Sequence, residues 1–273
     1  MLSTVKNLLA KRGISLCAPL SLCDATVLRP HLLKRVGIEE GTVLLFAVPY
    51  YTTFCDNTAR NISAYAVSRD YHLFFEELFD ELLPQLQETF PTHKFAGFSD
   101  HSPINEVEAA TKAGLGTVGM NHLFLTKEHS SFVFLGEIIT DAILPVTPHP
   151  ADNCISCGAC LAACPVDLSI DRCLSALTQK KGDLTAEEKK AILESGCLWG
   201  CDICQNTCPV TKAAKETGTI YTNVSFFTES PIFHLTKEEL NEMSDEAFAT
   251  RAYAWRGKQV ILRNLSLKED EQA

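Results

Sequence analysis

Nine of the twelve cysteines in this chain lie between residues 154 and 208, and this grouping constrains the fold more than any other sequence feature. In a reducing compartment, grouped cysteines hold metal more often than they form disulfides. We therefore interpret this region as a metal-binding module within a chain of 273 residues.

The two cysteine runs have the spacing of a bacterial ferredoxin. Residues 154–165 read CISCGACLAACP, in which three thiolates bind one 4Fe–4S cluster and the fourth turns away to a second cluster. Residues 201–209 read CDICQNTCP and return the missing ligands. The ligands expected for cluster one are Cys154, Cys157, Cys160 and Cys208. Cluster two is expected to use Cys164, Cys201, Cys204 and a fourth cysteine, for which the spacing leaves Cys173 and Cys197 open.

A pair of structural zinc sites is the alternative interpretation of these cysteines. Zinc also binds four cysteines, but usually as two separated CxxC pairs, and the CxxCxxC spacing favours iron–sulfur clusters. Two neighbouring clusters would conduct single electrons. Because a ferredoxin alone needs far fewer residues, we expect the first 150 residues to hold a group that consumes the electrons.

The rest of the composition is typical of an ordinary globular protein, with 46% hydrophobic residues. The formal net charge of −10 disfavours a surface that is basic throughout, although it allows a local positive patch. Lys6, Lys11 and Arg12 interrupt the apolar N-terminus, so no signal peptide is predicted. No apolar run reaches membrane-spanning length. We expect a cytoplasmic monomer that does not contact a membrane.

Strand and helix signals alternate before the cysteines. Thr42–Val48 and Phe132–Ile139 are apolar, β-branched runs typical of buried strands. From Arg69 to Phe90 apolar residues recur at helical spacing. Three prolines in Leu144–Pro150 indicate a domain boundary.

Two further helices are predicted after the cysteines, one from Thr236 with Glu239 three residues on, the other from Ser244. These signals predict an α+β protein with an inserted ferredoxin-like double-cluster module. The expected division is an α/β catalytic domain over 1–150, the cluster module over 151–212 and a short helical segment over 213–273.

Six short segments, taken in order, carry a resemblance to a known family. They are VPYY at 48–51, YAVSRDYH at 65–72, SDHSP at 99–103, AGLG at 113–116, FLGE at 134–137 and GCDICQ at 200–205. From about Thr42 onward the chain resembles epoxyqueuosine reductase, a cobalamin-dependent iron–sulfur enzyme of queuosine biosynthesis that acts on tRNA. The resemblance is to a short form of the family, and we expect it to lack the C-terminal helical repeats of many members.

The resemblance implies cofactors and one more ligand. The first domain would bind a base-off cobalamin (corrinoid) between itself and cluster two. Cys173 is favoured as the eighth ligand, because the family has a cluster-two cysteine in a context like RCLS at 172–175. Cys197 has no family counterpart and is expected to be a buried thiol beside Trp199.

The resemblance also implies that Asp100 is the catalytic proton donor. Converting an epoxide to an alkene consumes two electrons and two protons and releases water, so a carboxyl group must be protonated when the C–O bond breaks. We expect an apolar pocket to raise the pKa of Asp100 by desolvation. The residues alone would favour a helix cap or turn role ahead of Ser102.

Other corrinoid contacts are expected from the same resemblance. Ser175 and Asp202 lie just after cluster-two ligands, and Phe124 and Leu135 lie on segments that resemble corrin-facing walls. Imidazole is a common metal ligand, but the family cofactor lacks a protein histidine ligand. We therefore expect surface or supporting roles for the three candidates, His72, His101 and His122.

Two departures from the family pattern remove positive charge. The usual Gly-Lys-His-Ser/Asn is Gly-Met-Asn-His at 119–122, and an arginine is replaced by Ala64. Both weaken the expectation of tRNA binding, since Lys and Arg contacts to phosphates supply much of the affinity. A patch that could compensate consists of Arg251, Tyr253, Trp255, Arg256, Lys258 and Arg263. The alternative is a C-terminal helix whose aromatic residues pack inward.

Three functions fit these observations. The first is a cobalamin-dependent reductase of epoxyqueuosine in tRNA, supplied by an external low-potential electron donor. The second is a related corrinoid iron–sulfur reductase that acts on a small molecule. The third is an electron-transfer protein that reduces the corrinoid of a partner.

The ligand assignment can be tested by iron analysis of anaerobically purified variants. We expect Cys173→Ala to lose about half of the iron, because one of two clusters loses a ligand. Cys197→Ala, the matched control, is expected to lose none. The reverse result would overturn the choice of Cys173.

Overall fold

The computed structural model describes residues 1–147 and 154–270, with side chains described as far as Leu267. Six strands are present in this part of the chain: β1 (Leu16–Ser21), β2 (Thr42–Pro49), β3 (Phe95–Phe98), β4 (Thr117–Val118), β5 (Phe124–Leu125) and β6 (Val133–Thr140). Four of them form one antiparallel sheet in the order β1-β2-β6-β3, and β4 pairs with β5 in a small hairpin. The predicted strands at 42–48 and 132–139 are confirmed as β2 and β6.

The described helices follow the chain as α1 (Leu2–Lys11), α2 (Pro30–Val36), α3 (Tyr71–Thr89), α4 (Glu106–Lys112), α5 (Ala159–Ala163), α6 (Leu174–Thr178), α7 (Ala186–Ser195), α8 (Ile203–Asn206), α9 (Pro209–Thr217), α10 (Lys237–Glu242), α11 (Asp245–Ala249) and α12 (Lys258–Asp270). None of the helices in the described ranges is long and apolar enough to cross a membrane. Helix α3 confirms the helix predicted for residues 69–90. Its N-cap is Asp70, whose side chain accepts a hydrogen bond from the His72 N–H.

Strand β2 is buried along its whole length because it separates two apolar cores. Successive side chains of a strand point to opposite faces. Leu44 and Phe46 therefore join a larger core with α3, whereas Val43 and Leu45 join a smaller one with residues of α2 and α4. The continuous apolar run in the sequence follows from this double burial.

The C-terminal segment packs into the larger of these two cores. Phe226 and Phe227 lie against the ring of Phe74 on α3, with ring centroids 5.5 and 5.3 Å away. The helices predicted from Thr236 and Ser244 are confirmed as α10 and α11, and both caps accept hydrogen bonds from the helix backbone. The segment therefore extends the first domain, while the boundary expected at 144–150 lies partly outside the described residues.

Candidate metal centres and active-site cavity

The four cysteines expected to bind cluster one surround a single narrow cavity. Helix α5 carries Cys160, and Cys208 directly precedes α9 at Pro209. Gly158 has a φ of +75°, which few residues other than glycine adopt, and it turns the chain between the second and third cysteines. The cavity is lined by all four of the expected cysteines, Cys154, Cys157, Cys160 and Cys208.

A second cavity, of about 270 Å³, is lined by the four cysteines expected to bind cluster two. Its cysteines are Cys164, Cys173, Cys201 and Cys204. Within the described ranges, no group of three or more His, Cys, Asp or Glu side chains is arranged to hold a single metal ion. Burial raises the pKa of Cys201 to about 11 and that of Cys204 to about 12. Thiolates at these positions therefore need a strongly positive group between them, which iron in a cluster supplies.

Cys197 lines neither of these two cavities. Its thiol donates to the carbonyl oxygen of Trp199 at 3.3 Å. Burial raises the pKa of this thiol to about 12. Cys197 is half-buried rather than fully buried, and its hydrogen bond within the protein supports the choice of Cys173 as the eighth ligand.

A large cavity, of about 710 Å³, is lined both by residues of the first domain and by cysteines expected to bind cluster two. Cys173, Cys201 and Cys204 reach its edge, so a cluster bound there would adjoin it. The opposite walls come from the sheet, from the start of α3 and from the C-terminal segment. They include the side chains of Tyr50, Tyr65, Tyr71, Asp100, Phe134 and Trp255.

Asp100 lies in the loop after β3, and its side chain is 56% exposed toward this cavity. Its carboxylate accepts a hydrogen bond from the Tyr71 hydroxyl and lies 3.2 Å from Nε2 of His72. The other ring nitrogen of His72, Nδ1, is 2.8 Å from the carboxylate of Asp70. His72 thus stands between two carboxylates.

These contacts determine whether His72 or Asp100 is protonated. Hydrogen bonds to Asp100 and then to Asp70 raise the pKa of His72 to about 10, so the imidazole is protonated at neutral pH. Burial pushes the pKa of Asp100 upward, but hydrogen bonds from His72 and Tyr71 outweigh it and leave that pKa lowered. Desolvation therefore acts on the pKa of Asp100 in the expected direction, but the net shift has the opposite sign because of these two hydrogen bonds. The sequence segment 65–72 contained both partners, but it did not indicate that the start of α3 faces the loop at 99–103.

Of the four residues expected to contact the corrinoid, one lines the large cavity and three do not. Ser175 lines the large cavity, whereas Phe124, Leu135 and Asp202 are not among its lining residues. Phe124 is buried in the smaller core, and the carbonyl of Leu135 accepts a hydrogen bond from Ser99. His122 lines the cluster-two cavity, while His101 is exposed.

The buried carboxylate of Asp202, between Cys201 and Cys204 in sequence, binds the first domain instead. It accepts hydrogen bonds from Arg60 at 2.6 Å, from the Ala64 N–H at 2.7 Å and from the Ser63 hydroxyl. Gly200 lies so close to Ser63 that a side chain there would collide with it. Sequence reasoning missed Arg60 and Ser63, because only the fold brings residues 140 positions apart together.

The expected basic patch is not continuous at the surface. Arg251 is buried and donates to backbone oxygens of Val67 and Ser230, and Tyr253 is fully buried. Trp255, in contrast, is 59% exposed at the cavity, and the Arg256 guanidinium lies 3.8 Å from its ring centroid. In the rest of the patch, Arg263 donates to the carbonyls of residues 180 and 182, and Lys258 to that of residue 243.

The fold and these cavities define an iron–sulfur protein in which a double-cluster module adjoins a large cavity of an α+β domain. Residues 153–211 match the family model for a 4Fe–4S double cluster binding domain. Residues 34–101 match the model described as "Epoxyqueuosine reductase QueG". The chain is 32% identical over 266 residues to the epoxyqueuosine reductase of Cyclobacterium marinum, covering 88% of this chain and 82% of that one. The chain belongs to the epoxyqueuosine reductase family.

Other relatives differ in length or identity. The epoxyqueuosine reductase of Escherichia coli is 32% identical over 232 residues, which are 81% of this chain, and the chain spans 60% of its length. A structure of the Bacillus subtilis epoxyqueuosine reductase, with a catalytic aspartate loop swung out of the active site, has a TM-score of 0.73 at 24% identity and covers 98% of this chain and 81% of that one. An epoxyqueuosine reductase solved with a tRNA-Tyr epoxyqueuosine-modified stem loop has a TM-score of 0.71 at 24% identity, with the same coverage. These two structures show the same fold.

The contact between Arg60 and Asp202 predicts a large stability effect. Arg60→Ala leaves a buried carboxylate without its cation, and we expect the free energy of unfolding to fall by about 3–5 kcal/mol. Lys190→Ala, which removes an exposed ion pair with Glu194, is expected to change it by less than about 0.5 kcal/mol. Anaerobic urea denaturation measures both, and equal effects would contradict the role given to Arg60.

Proposed function

We propose that this protein reduces the epoxide of epoxyqueuosine in tRNA to the alkene of queuosine. The observation that carries the proposal is the placement of Asp100 and His72 in the same cavity that the cluster-two cysteines adjoin. A proton donor and the expected electron source would therefore adjoin the same cavity. Family membership supports the reaction, and the relative solved with a modified tRNA stem loop supports the substrate.

The eight cysteines of the two cavities would hold the clusters, and the large cavity would hold a corrinoid. Its volume of about 710 Å³, its aromatic walls and the cysteines at its edge fit a large flat cofactor beside cluster two. Ser175 and Gln179 line the same cavity beside Cys173 and would contact it. When bound, a corrinoid supplies a low-potential cobalt centre that transfers electrons to the substrate. His72 faces carboxylates through both ring nitrogens, so it would not act as a cobalt ligand.

The protein would supply protons through the Asp100–His72 pair. Epoxide reduction consumes two electrons and two protons and releases one water. His72 holds a proton on Nε2, and the Oδ2 of Asp100, 3.2 Å away, can receive it and pass it to the oxygen that leaves carbon. Solvent that enters the open cavity would supply the second proton. The relative described with its catalytic aspartate loop swung out of the active site supports this role for the Asp100 loop.

Electrons would enter at cluster one from an external low-potential donor. Cys157 is exposed, and the neighbouring Ile155 is 65% exposed, so these residues would hold cluster one close to solvent. Cys164, the last cysteine of the first run, lines the other cluster cavity and would bind cluster two, three of whose expected ligands also line the large cavity.

A small-molecule substrate is the second candidate. It is favoured by the net charge of −10 and by the basic patch, in which Arg251 is buried and Arg263 is engaged by backbone carbonyls. Tight, salt-sensitive binding of a tRNA stem loop would count against it.

The reaction and its proton donor can be tested together in vitro. The protein, reconstituted with iron, sulfide and cobalamin and supplied with a chemical reductant, is expected to convert epoxyqueuosine in a tRNA stem loop to queuosine, followed by mass spectrometry. We expect Asp100→Asn to lower kcat by about 10²–10⁴-fold, because it removes the proton carrier. Wild-type activity should fall as the pH rises toward 10, where His72 loses its proton.

The control for this test is Asp80→Asn, a change of the same type at an exposed position of α3, which should retain wild-type activity. Absence of conversion by the wild-type protein, or full activity of Asp100→Asn, would contradict the proposal.

Trp255 gives a separate prediction about the substrate. An exposed aromatic ring at the cavity can stack a nucleobase, and its removal in Trp255→Ala should weaken stem-loop binding by about 1–3 kcal/mol. Trp255→Phe keeps a stacking face and is expected to retain most of the affinity. The only other tryptophan, Trp199, is fully buried, so quencher-accessible fluorescence reports on Trp255. If the bound stem loop leaves this quenching unchanged, the stacking role is wrong.

A further inference from the structure

Glu137 on β6 is an acidic side chain in a fully buried position beneath the Asp100 loop. Neither of its carboxyl oxygens has a hydrogen bond of ordinary geometry to any described group. The carboxyl of Glu106 and the hydroxyl of Ser102 are nevertheless the polar groups that face it. A buried carboxyl group without partners is costly when ionised, so its presence requires an explanation.

Glu106, the first residue of α4, connects this buried group to the active site. Its Oε1 accepts a hydrogen bond from the backbone N–H of Asp100 at 3.0 Å. Asp100 has a φ of +60°, a left-handed conformation that costs energy for a residue with a side chain. The bond from Glu106 therefore helps to hold Asp100 in a conformation that it would not favour alone.

The charges around the pair determine its protonation. Besides Glu137, Glu106 is faced by the negative carboxylate of Asp100 and by the guanidinium of Arg29, which donates to the carbonyl of Ser102 at 2.8 Å. Burial raises the pKa of Glu137 well above its usual range, and the charge of Glu106 raises it further. Burial, together with the charge of Asp100, raises the pKa of Glu106 to about 7. Two adjacent carboxyl groups in such a space do not both ionise readily.

We propose that Glu106 and Glu137 share a proton and act as a positioning pair that holds the Asp100 loop at the cavity. With the proton present, Glu106 stays beside Glu137 and keeps its bond to Asp100. When the pair loses that proton, repulsion between the carboxylates drives Glu106 away and releases the loop. The consequence for catalysis rests on the proposed function, whereas the effect on the loop does not.

The direction of the pH dependence follows from the raised pKa of Glu106. A group whose pKa is raised in the folded protein stabilises the fold while it is protonated, and this contribution is lost as the pH rises through that pKa. The loop is therefore held below about pH 7 and released above it.

Hydrogen exchange of the holoprotein tests the pair without any assay of activity. Exchange of the peptide that contains Asp100 is compared at about pH 6 and about pH 8.5, after correction for intrinsic rates. Wild type should be protected at the lower pH and lose about fivefold protection at the higher pH. Glu106→Ala, which lacks the acceptor, should be unprotected at both.

Two isosteric variants distinguish proton sharing from simple packing. In Glu137→Gln the amide can donate to the Glu106 carboxylate, and in Glu106→Gln the side-chain carbonyl can still accept from Asp100. Both should remain protected at both pH values. Glu106→Gln keeps the test decisive if Glu137→Gln does not fold. The matched control, Glu108→Gln, alters an exposed carboxylate of the same helix that pairs with Lys112, and it should behave as wild type.

Wild-type pH dependence in both isosteric variants would overturn proton sharing. Full protection in Glu106→Ala would overturn the positioning role. In the conversion assay, Glu106→Ala should lower kcat about fivefold with little change in KM, since substrate contacts remain. The exchange results hold even if epoxyqueuosine is not converted, so failure of the proposed function and failure of the pair are distinguishable.

Discussion

The buried carboxylate of Asp202 is the contact on which the arrangement of the site depends. It lies between two cluster-two cysteines in sequence, yet three of its hydrogen-bond donors, Arg60, Ser63 and the Ala64 N–H, belong to the first domain. A buried charge without these donors would destabilise the fold, so the carboxylate and its donors must come into contact when the chain folds. This requirement fixes the cluster-two loop against the first domain, and the large cavity exists at that junction.

The proton chemistry of the cavity depends on pairing rather than on apolar burial. Burial alone would keep Asp100 protonated, but Tyr71 and His72 stabilise its charged form. The proton is therefore held by the imidazole of His72, which two carboxylates keep charged. Beneath the same loop, Arg29 faces Glu106 but donates its hydrogen bond to the carbonyl of Ser102. Burial dominates there and raises the pKa values of Glu106 and Glu137, whereas at Asp100 the hydrogen bonds outweigh burial.

Features that depend on local pattern could be predicted from the sequence. The apolar runs of β2 and β6, the periodicity of α3 and the caps at Thr236 and Ser244 each arise from neighbouring residues, and each is present in the structure. The cysteine spacing likewise predicts two ligand sets, and the seven cysteines that it assigns line two separate cavities in that grouping. Features that depend on distant pairing could not be predicted. Neither the burial of Arg251 nor the contact of Arg60 with Asp202 has a signal in its own segment.

The same distinction explains why a patch of cations in sequence is a weak indicator of nucleic-acid binding. A guanidinium can satisfy backbone carbonyls as well as phosphates, and in Arg251 and Arg263 it does so within the protein. Arg251 thereby connects the C-terminal segment to the first domain, and Arg263 connects it to the cluster module. The aromatic ring of Trp255, in contrast, has a large exposed area next to the cavity, which folding alone does not explain. If the proposed function holds, recognition of the substrate would depend more on stacking at the cavity than on a basic surface around it.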